Sequence, residues 1–278
     1  MPYTVIQGTF HVQGYSPDGD SVRFKAQNEA NWAKLSGSPV SLNGRRHAQL
    51  RLEAIDTLET HFRNTHQPLT LATRAVDFLL NGLGITGVQW DTLRTIVTAA
   101  NDGTEGYIIS RNVEPNRRPV VFVYAGTPVE PDGEEIFLDS DRVRKSLNYQ
   151  SLENGLAYPT YYKGLFYDLR STLTEAVKIA RQAQREIWAV DRTSKGLQVQ
   201  GVFSISEQHV ILPKLFRRLA EYLEGGGPVA GFQEFLAARQ EGVYIISKAH
   251  YTHFDNVIKV SGDTVRMTER PENLIFEG

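Results

Sequence analysis

Leu50, Leu52 and Ala54 alternate with Gln49, Arg51 and Glu53, a period of two that predicts a half-buried strand. The alternation gives way after Ile55 to Asp56-Thr57-Leu58-Glu59, a polar run where the strand is expected to pass into a loop. Strict alternation puts Arg51 and Asp56 on opposite faces, so a bend at Asp56 is expected if both serve one pocket. Residues 3–13 predict a first strand and residues 21–26 a second, with Asp18-Gly19 as the turn between them. Asn43-Gly44 predicts a type I′ turn into a third strand over 45–55. From Leu69 the spacing changes to three and four through Ala72, Ala75, Val76, Leu79 and Leu80, predicting an amphipathic helix that stops near Asn81-Gly82.

Residues 87–90, 93–98 and 106–110 read as extended, and Val120 to Tyr124 is a strongly β-prone run. A long helix is predicted over 172–189, with Leu173, Ala176, Val177, Ala180, Ala183 and Ile187 on its core face. The polar stretch 191–196 predicts a boundary between a domain at 1–192 and a smaller one at 195–278. In the latter, Leu212, Leu215, Phe216 and Leu219 mark a helix. Residues 243–247, 254–260 and 264–268 alternate as strands, giving a small α+β unit.

The 278 residues are 41% hydrophobic and 22% charged, enough to bury a real core. The formal charge is −2, with ten basic and ten acidic residues in 192–278 against twenty and twenty-two before them. Neither part is a basic platform, so a nucleic-acid site must be a local patch. The absence of cysteine excludes disulfides, thiolate metal sites and a thiol nucleophile. The opening Met1-Pro2-Tyr3-Thr4 carries no basic segment followed by an apolar one, and no apolar run approaches a membrane span. The expectation is a protein without membrane partners, cytoplasmic or exported without a cleavable signal.

Candidate chemistry lies in three separated pieces: Asp18-Gly19-Asp20, then Arg51 with Asp56-Thr57-Leu58-Glu59, then Arg117-Arg118 before an aromatic-rich strand. Carboxylates suit a hard cation, and arginine forks onto phosphate. In this order the chain resembles the staphylococcal (thermo)nuclease family. Two further segments support the resemblance: Gly155-Leu156-Ala157-Tyr158-Pro159-Thr160-Tyr161-Tyr162, and the helix ending Ala183-Gln184-Arg185-Glu186-Ile187-Trp188. It covers residues 5–190, interrupted by insertions, and leaves the last third unexplained.

The resemblance implies an α+β fold, a five-stranded OB-type barrel capped by helices, followed by the small α+β domain. It implies a calcium-dependent, sugar-non-specific nuclease that cuts DNA and RNA. Asp20, Asp56 and the Thr57 carbonyl are implied as calcium ligands, Glu59 as the residue that orients the attacking water, and Arg51 and Arg118 as phosphate-binding arginines. Arg117, Tyr161 and Tyr162 are candidate substrate contacts. The tyrosines could equally plug the barrel end, and either arginine of the Arg117-Arg118 pair could serve. Arg117 stands where the family often has glycine, Leu58 where it has proline, and Lys163 where a second tyrosine is expected.

Residues 99–116 read as an insertion beside the site that could form a lid or restrict access, and 127–146 holds a second insertion, Glu134 to Val143, whose form the pattern leaves open. The cluster Arg45-Arg46-His47 is either a solvated turn or a phosphate contact. His250 and His253 lack a clear third ligand, so packing is favoured over zinc. The rival reading is a barrel without catalysis that binds nucleic acid or protein. Residues 195–278 are also a candidate dimerisation or partner-binding module.

Overall fold

The computed structural model describes residues 2–277 and shows a mixed α+β chain. It divides into two compact units, Met1–Glu53 with Ala75–Ser151, and Ala54–Arg74 with Leu152–Gly278. That division differs from the one expected near 191–196. The segment 54–74 and everything after residue 151 belong to the second unit together.

In the first unit the alternating positions form an eight-stranded sheet that is nearly a closed barrel. Its main path runs Ala48–Gln49, Arg23–Ala26, Tyr3–His11, Thr104–Val113, Pro119–Ala125 and Arg51–Leu52. The two ends of that path are successive pieces of one stretch, so the sheet comes round on itself. Leu50 and Leu52 donate their backbone N–H to the carbonyls of Val22 and Asp20, both at 2.9 Å, while Arg51 and Leu52 pair in parallel with Val120 and Val121. Phe10, Phe24 and Val123 are fully buried on one face of the sheet, and Val5 and Phe122 on the other. Gly106 is required here: a Cβ at this position would lie 2.4 Å from the Phe10 ring and 2.6 Å from the Tyr124 carbonyl.

Residues 99–116 are a part of the barrel wall and not a lid over it. Most of them form the strand Thr104–Val113, paired antiparallel with both Tyr3–His11 and Pro119–Ala125. Within 127–146, the two-residue strand Glu135–Ile136 pairs with the first strand at Tyr3 and Thr4, and Ser140–Lys145 is a helix capped by Asp139. The predicted third strand is broken into Ala48–Gln49, Arg51–Leu52 and Ile55–Thr57, because Ala54 takes a left-handed backbone with φ of 68°. The bend expected at Asp56 is therefore two residues earlier. The helix expected from Leu69 is Leu69–Gly82, with Ala72, Ala75, Val76, Leu79 and Leu80 buried.

In the second unit, Ile55–Thr57 pairs antiparallel with Ala157–Pro159. The expected long helix is Tyr167–Gln182 plus a separate turn at Ile187–Val190. Helix Pro213–Glu224 starts on a proline, which suits the first helical position, and buries Leu215, Phe216, Leu219 and Ala220. A four-stranded sheet joins Tyr161–Tyr162, Leu274–Phe276, Gly242–Ile245 and His250–His253 in that order. A smaller one joins Leu197–Gln198, Thr264–Met267 and Ile258–Ser261. Among the described residues, no helix is long and apolar enough to cross a membrane.

Candidate functional site

Within the first unit, the strand order brings Asp20, Arg51 and Arg118 onto neighbouring segments. Asp18 and Ser21 exchange backbone hydrogen bonds at 3.2 and 3.3 Å, so Gly19 and Asp20 are the two central residues of the turn. The Asp20 carbonyl holds Leu52, next to Arg51. Arg51 in turn lies opposite Val120, two residues beyond Arg118.

Arg118 Nε donates to Glu114 Oε1 at 2.9 Å, and Asn116 donates to the same carboxylate at 2.9 Å. Burial pushes the Glu114 carboxyl up, but these donors outweigh it and hold its pKa below the ordinary value. Arg117 takes φ of 65°, a backbone suited to glycine, and donates through Nε to the Pro39 carbonyl at 3.0 Å. Arg117 is thus held on a loop carbonyl, and Arg118 on the Glu114 carboxylate.

Within the second unit, the polar run after Ile55 is drawn together by a residue the sequence did not single out. Asp56 is the central residue of a buried three-residue strand, its side chain only 5% exposed. Arg217, one turn into helix Pro213–Glu224, donates to both of its carboxylate oxygens at 3.0 and 2.8 Å. The same guanidinium donates through Nη1 to Glu59 Oε1. Burial works against the Arg217 charge, but the two carboxylates outweigh it, and its pKa is raised well above the ordinary value.

Glu59 is fixed along its backbone as well: Gln67 accepts from its N–H at 3.3 Å and donates its own N–H to the Glu59 carbonyl at 2.9 Å. Gln67 is fully buried, and its side-chain amide donates to the Ile211 carbonyl at 2.8 Å, just before that helix. The Thr57 hydroxyl is buried without a hydrogen-bond partner.

As arranged, both Asp56 oxygens and one Glu59 oxygen accept from a guanidinium. Among the described residues, no three His, Cys, Asp or Glu side chains come together as a metal cage. Arg217 had no local signature, because it lies 161 residues from Asp56 on a helix recognisable only by its apolar stripe.

The two tyrosines differ. Tyr161 is fully buried and its hydroxyl pairs with Thr174 Oγ1 at 2.9 Å, so it is core and not a substrate contact. Tyr162 is half-buried, its ring 6.1 Å from that of Phe276. Lys163 pairs with Glu277 at 3.4 Å. His250 and His253 lie at opposite ends of one short strand, facing Ile245 and Gly242, and join no metal group among the described residues.

No protein-family model matches the chain, and no curated protein matches it.

Proposed function

We propose that the chain acts on nucleic-acid phosphodiesters as a sugar-non-specific nuclease of the staphylococcal type. The observation that carries this reading is the placement of Asp20, Arg51 and Arg118 on adjacent segments of one nearly closed barrel. Counting Ala48–Gln49 and Arg51–Leu52 as one interrupted strand leaves five on the main path, which supports an OB-type barrel. Paired guanidiniums answer the charge that develops on the phosphoryl oxygens during hydrolysis. The resemblance assigns Glu59 to the attacking water. Held by a guanidinium, it would contribute mainly by positioning the water. Calcium enters on the resemblance alone.

The rival reading, a barrel that binds nucleic acid or protein without cutting, is favoured by one observation. Arg217 occupies both oxygens of Asp56 and one of Glu59.

Digestion of plasmid and single-stranded substrates with calcium, magnesium or chelator separates the two. The nuclease reading expects calcium-dependent cutting of DNA and RNA, with most of the rate lost in Glu59→Ala and Arg51→Ala while both remain folded. Equal cutting by wild type and Glu59→Ala, or full activity in chelator, would remove it.

A further inference from the structure

One cluster in the first unit takes no part in that site. Arg23 and Arg45 each stand over the ring of Tyr15, their guanidinium carbons 5.2 and 5.3 Å from its centroid. Lys25 is exposed two residues from Arg23, on the same strand. Val22 and Phe24, between and beside them, are buried, so Arg23 and Lys25 share the outward face of the barrel wall. The Tyr15 hydroxyl accepts from Asn43 Nδ2 at 2.9 Å and contacts His47 Nδ1 at 3.0 Å. His47 stacks on His11, the ring centroids 4.0 Å apart.

Carboxylates near this group are committed elsewhere. Glu29 is bound by Arg46, and Asp102 accepts from the Val12 N–H at 2.5 Å and contacts His11 at 3.1 Å. Glu105 is the exception: it stands on the same face of the sheet as Lys25, with Thr9 between them. Among the described residues, neither Arg23, Lys25 nor Arg45 has an ion-pair partner, and the Arg23 Nε is buried without any acceptor. Neighbouring cations of which none is in an ion pair repel one another, a cost that folding alone gives no reason to keep. By contrast, the cations of helix Pro213–Glu224 are all matched: Lys214 and Arg218 by Glu241, and Arg217 by Asp56 and Glu59.

We infer that Arg23, Lys25 and Arg45, arrayed around Tyr15, form a docking face for the phosphate backbone of single-stranded nucleic acid. The spacing suits this partner. Alternate residues of a strand are about 6.6 Å apart, close to the separation of successive phosphates in an extended strand. Arg45 then continues the row across the turn, its position fixed by a hydrogen bond to the Gln13 carbonyl at 3.0 Å. The basic cluster after Asn43-Gly44 thus serves phosphate contact through Arg45, while Arg46 is spent on Glu29. This inference takes its ligand class from the nuclease reading but does not require catalysis.

The test is fluorescence anisotropy of a short labelled oligodeoxythymidine titrated with the full chain in chelator, so that nothing is cut. Arg45→Gln, Lys25→Gln and their combination remove exposed charges; Arg23→Gln is added where circular dichroism shows it folded. Lys259→Gln, an exposed charge of the other unit, is the control. The Arg45/Lys25 double variant should bind roughly tenfold more weakly and flatten the salt dependence of log K by about 1.4, at about 0.7 for each phosphate no longer neutralised. Unchanged affinity in the double variant would overturn the inference. So would an equal loss in Lys259→Gln, or competition by polyglutamate as strong as by unlabelled oligonucleotide. Weaker binding by the double variant of a chain that never cuts would leave this face standing and remove only the nuclease reading.

Discussion

Arg217 grips Asp56 with two nitrogens, at 3.0 and 2.8 Å, and reaches Glu59 with one of them. The side chain of Arg217 is 23% exposed and that of Asp56 5%, so the pair is shielded from most of the solvent. Removing the arginine leaves two largely buried acids with no counter-charge. Arg217→Met should therefore destabilise the chain by about 2–3 kcal/mol, near the lower end for breaking a buried pair. Urea denaturation followed by tryptophan fluorescence measures this. Freed of the guanidinium, the carboxylates should also take up a dication, so calcium should raise the melting temperature of the variant more than that of the wild type. No difference in the calcium response would mean that the acids are a purely structural pair.

Asn148 is fully buried and ties three backbone groups together. Its Oδ1 accepts from the Val123 N–H at 3.0 Å, and its Nδ2 donates to the carbonyls of Glu53 and Val121, both at 2.9 Å. Replacing it with alanine removes all three bonds, and only the Val121 carbonyl keeps another donor, the Glu53 N–H at 2.8 Å. Asn148→Ala should cost about 2–4 kcal/mol, because buried groups left without partners lose their full desolvation penalty. Amide exchange at Val123 should speed up more than at Ile109, where the ladder is unaltered.

Gly155 has φ of 73°, and a Cβ there would stand 2.6 Å from the Arg185 carbonyl oxygen. Strain and collision both oppose a side chain, and the Gly155 carbonyl accepts from the Ile187 N–H at 3.1 Å. Gly155→Ala is expected to lose about 2 kcal/mol or more. A thermal melt at or above the wild-type value would show that this corner relaxes freely.

His47 carries a built-in acid sensitivity. Its pKa is lowered to about 4 from the ordinary 6.5, first by burial and then by the neighbouring His11. Between those values the unfolded chain takes up a proton that the folded chain refuses. Stability from this group therefore falls as pH drops from 6.5 towards 4, and is level above 6.5. His47→Gln should reduce the loss of stability seen by urea denaturation between about pH 7 and about pH 5. An identical pH profile in the variant would place the sensitivity elsewhere.

Period and spacing were sufficient to read the helix Leu69–Gly82 and the first two strands, because burial on one face imposes a repeat that survives in the residue pattern. They were not sufficient at Ala54, a non-glycine residue whose left-handed backbone breaks an otherwise regular alternation. The strand Thr104–Val113 was legible only over 106–110, because its pairing with Tyr3–His11 is set by residues far away in the sequence. The acids Asp56 and Glu59 were visible by their proximity in sequence. Their partner Arg217 was not, since an interaction between residues so far apart leaves no periodic trace. For Tyr161 the sequence left packing and substrate contact equally open, because it does not tell which face of a two-residue strand is covered.

Tyr161 and Tyr162 run parallel to Ile275 and Phe276, and the Lys163 N–H reaches the Phe276 carbonyl at 3.0 Å. A protein shortened before residue 195 would strip that neighbour away and bare a hydrogen-bonding rim flanked by aromatic rings. Exposed rims of this kind recruit other chains. Anyone dissecting this molecule by deletion should expect insoluble material from such a cut, and should seek its separable parts at other positions.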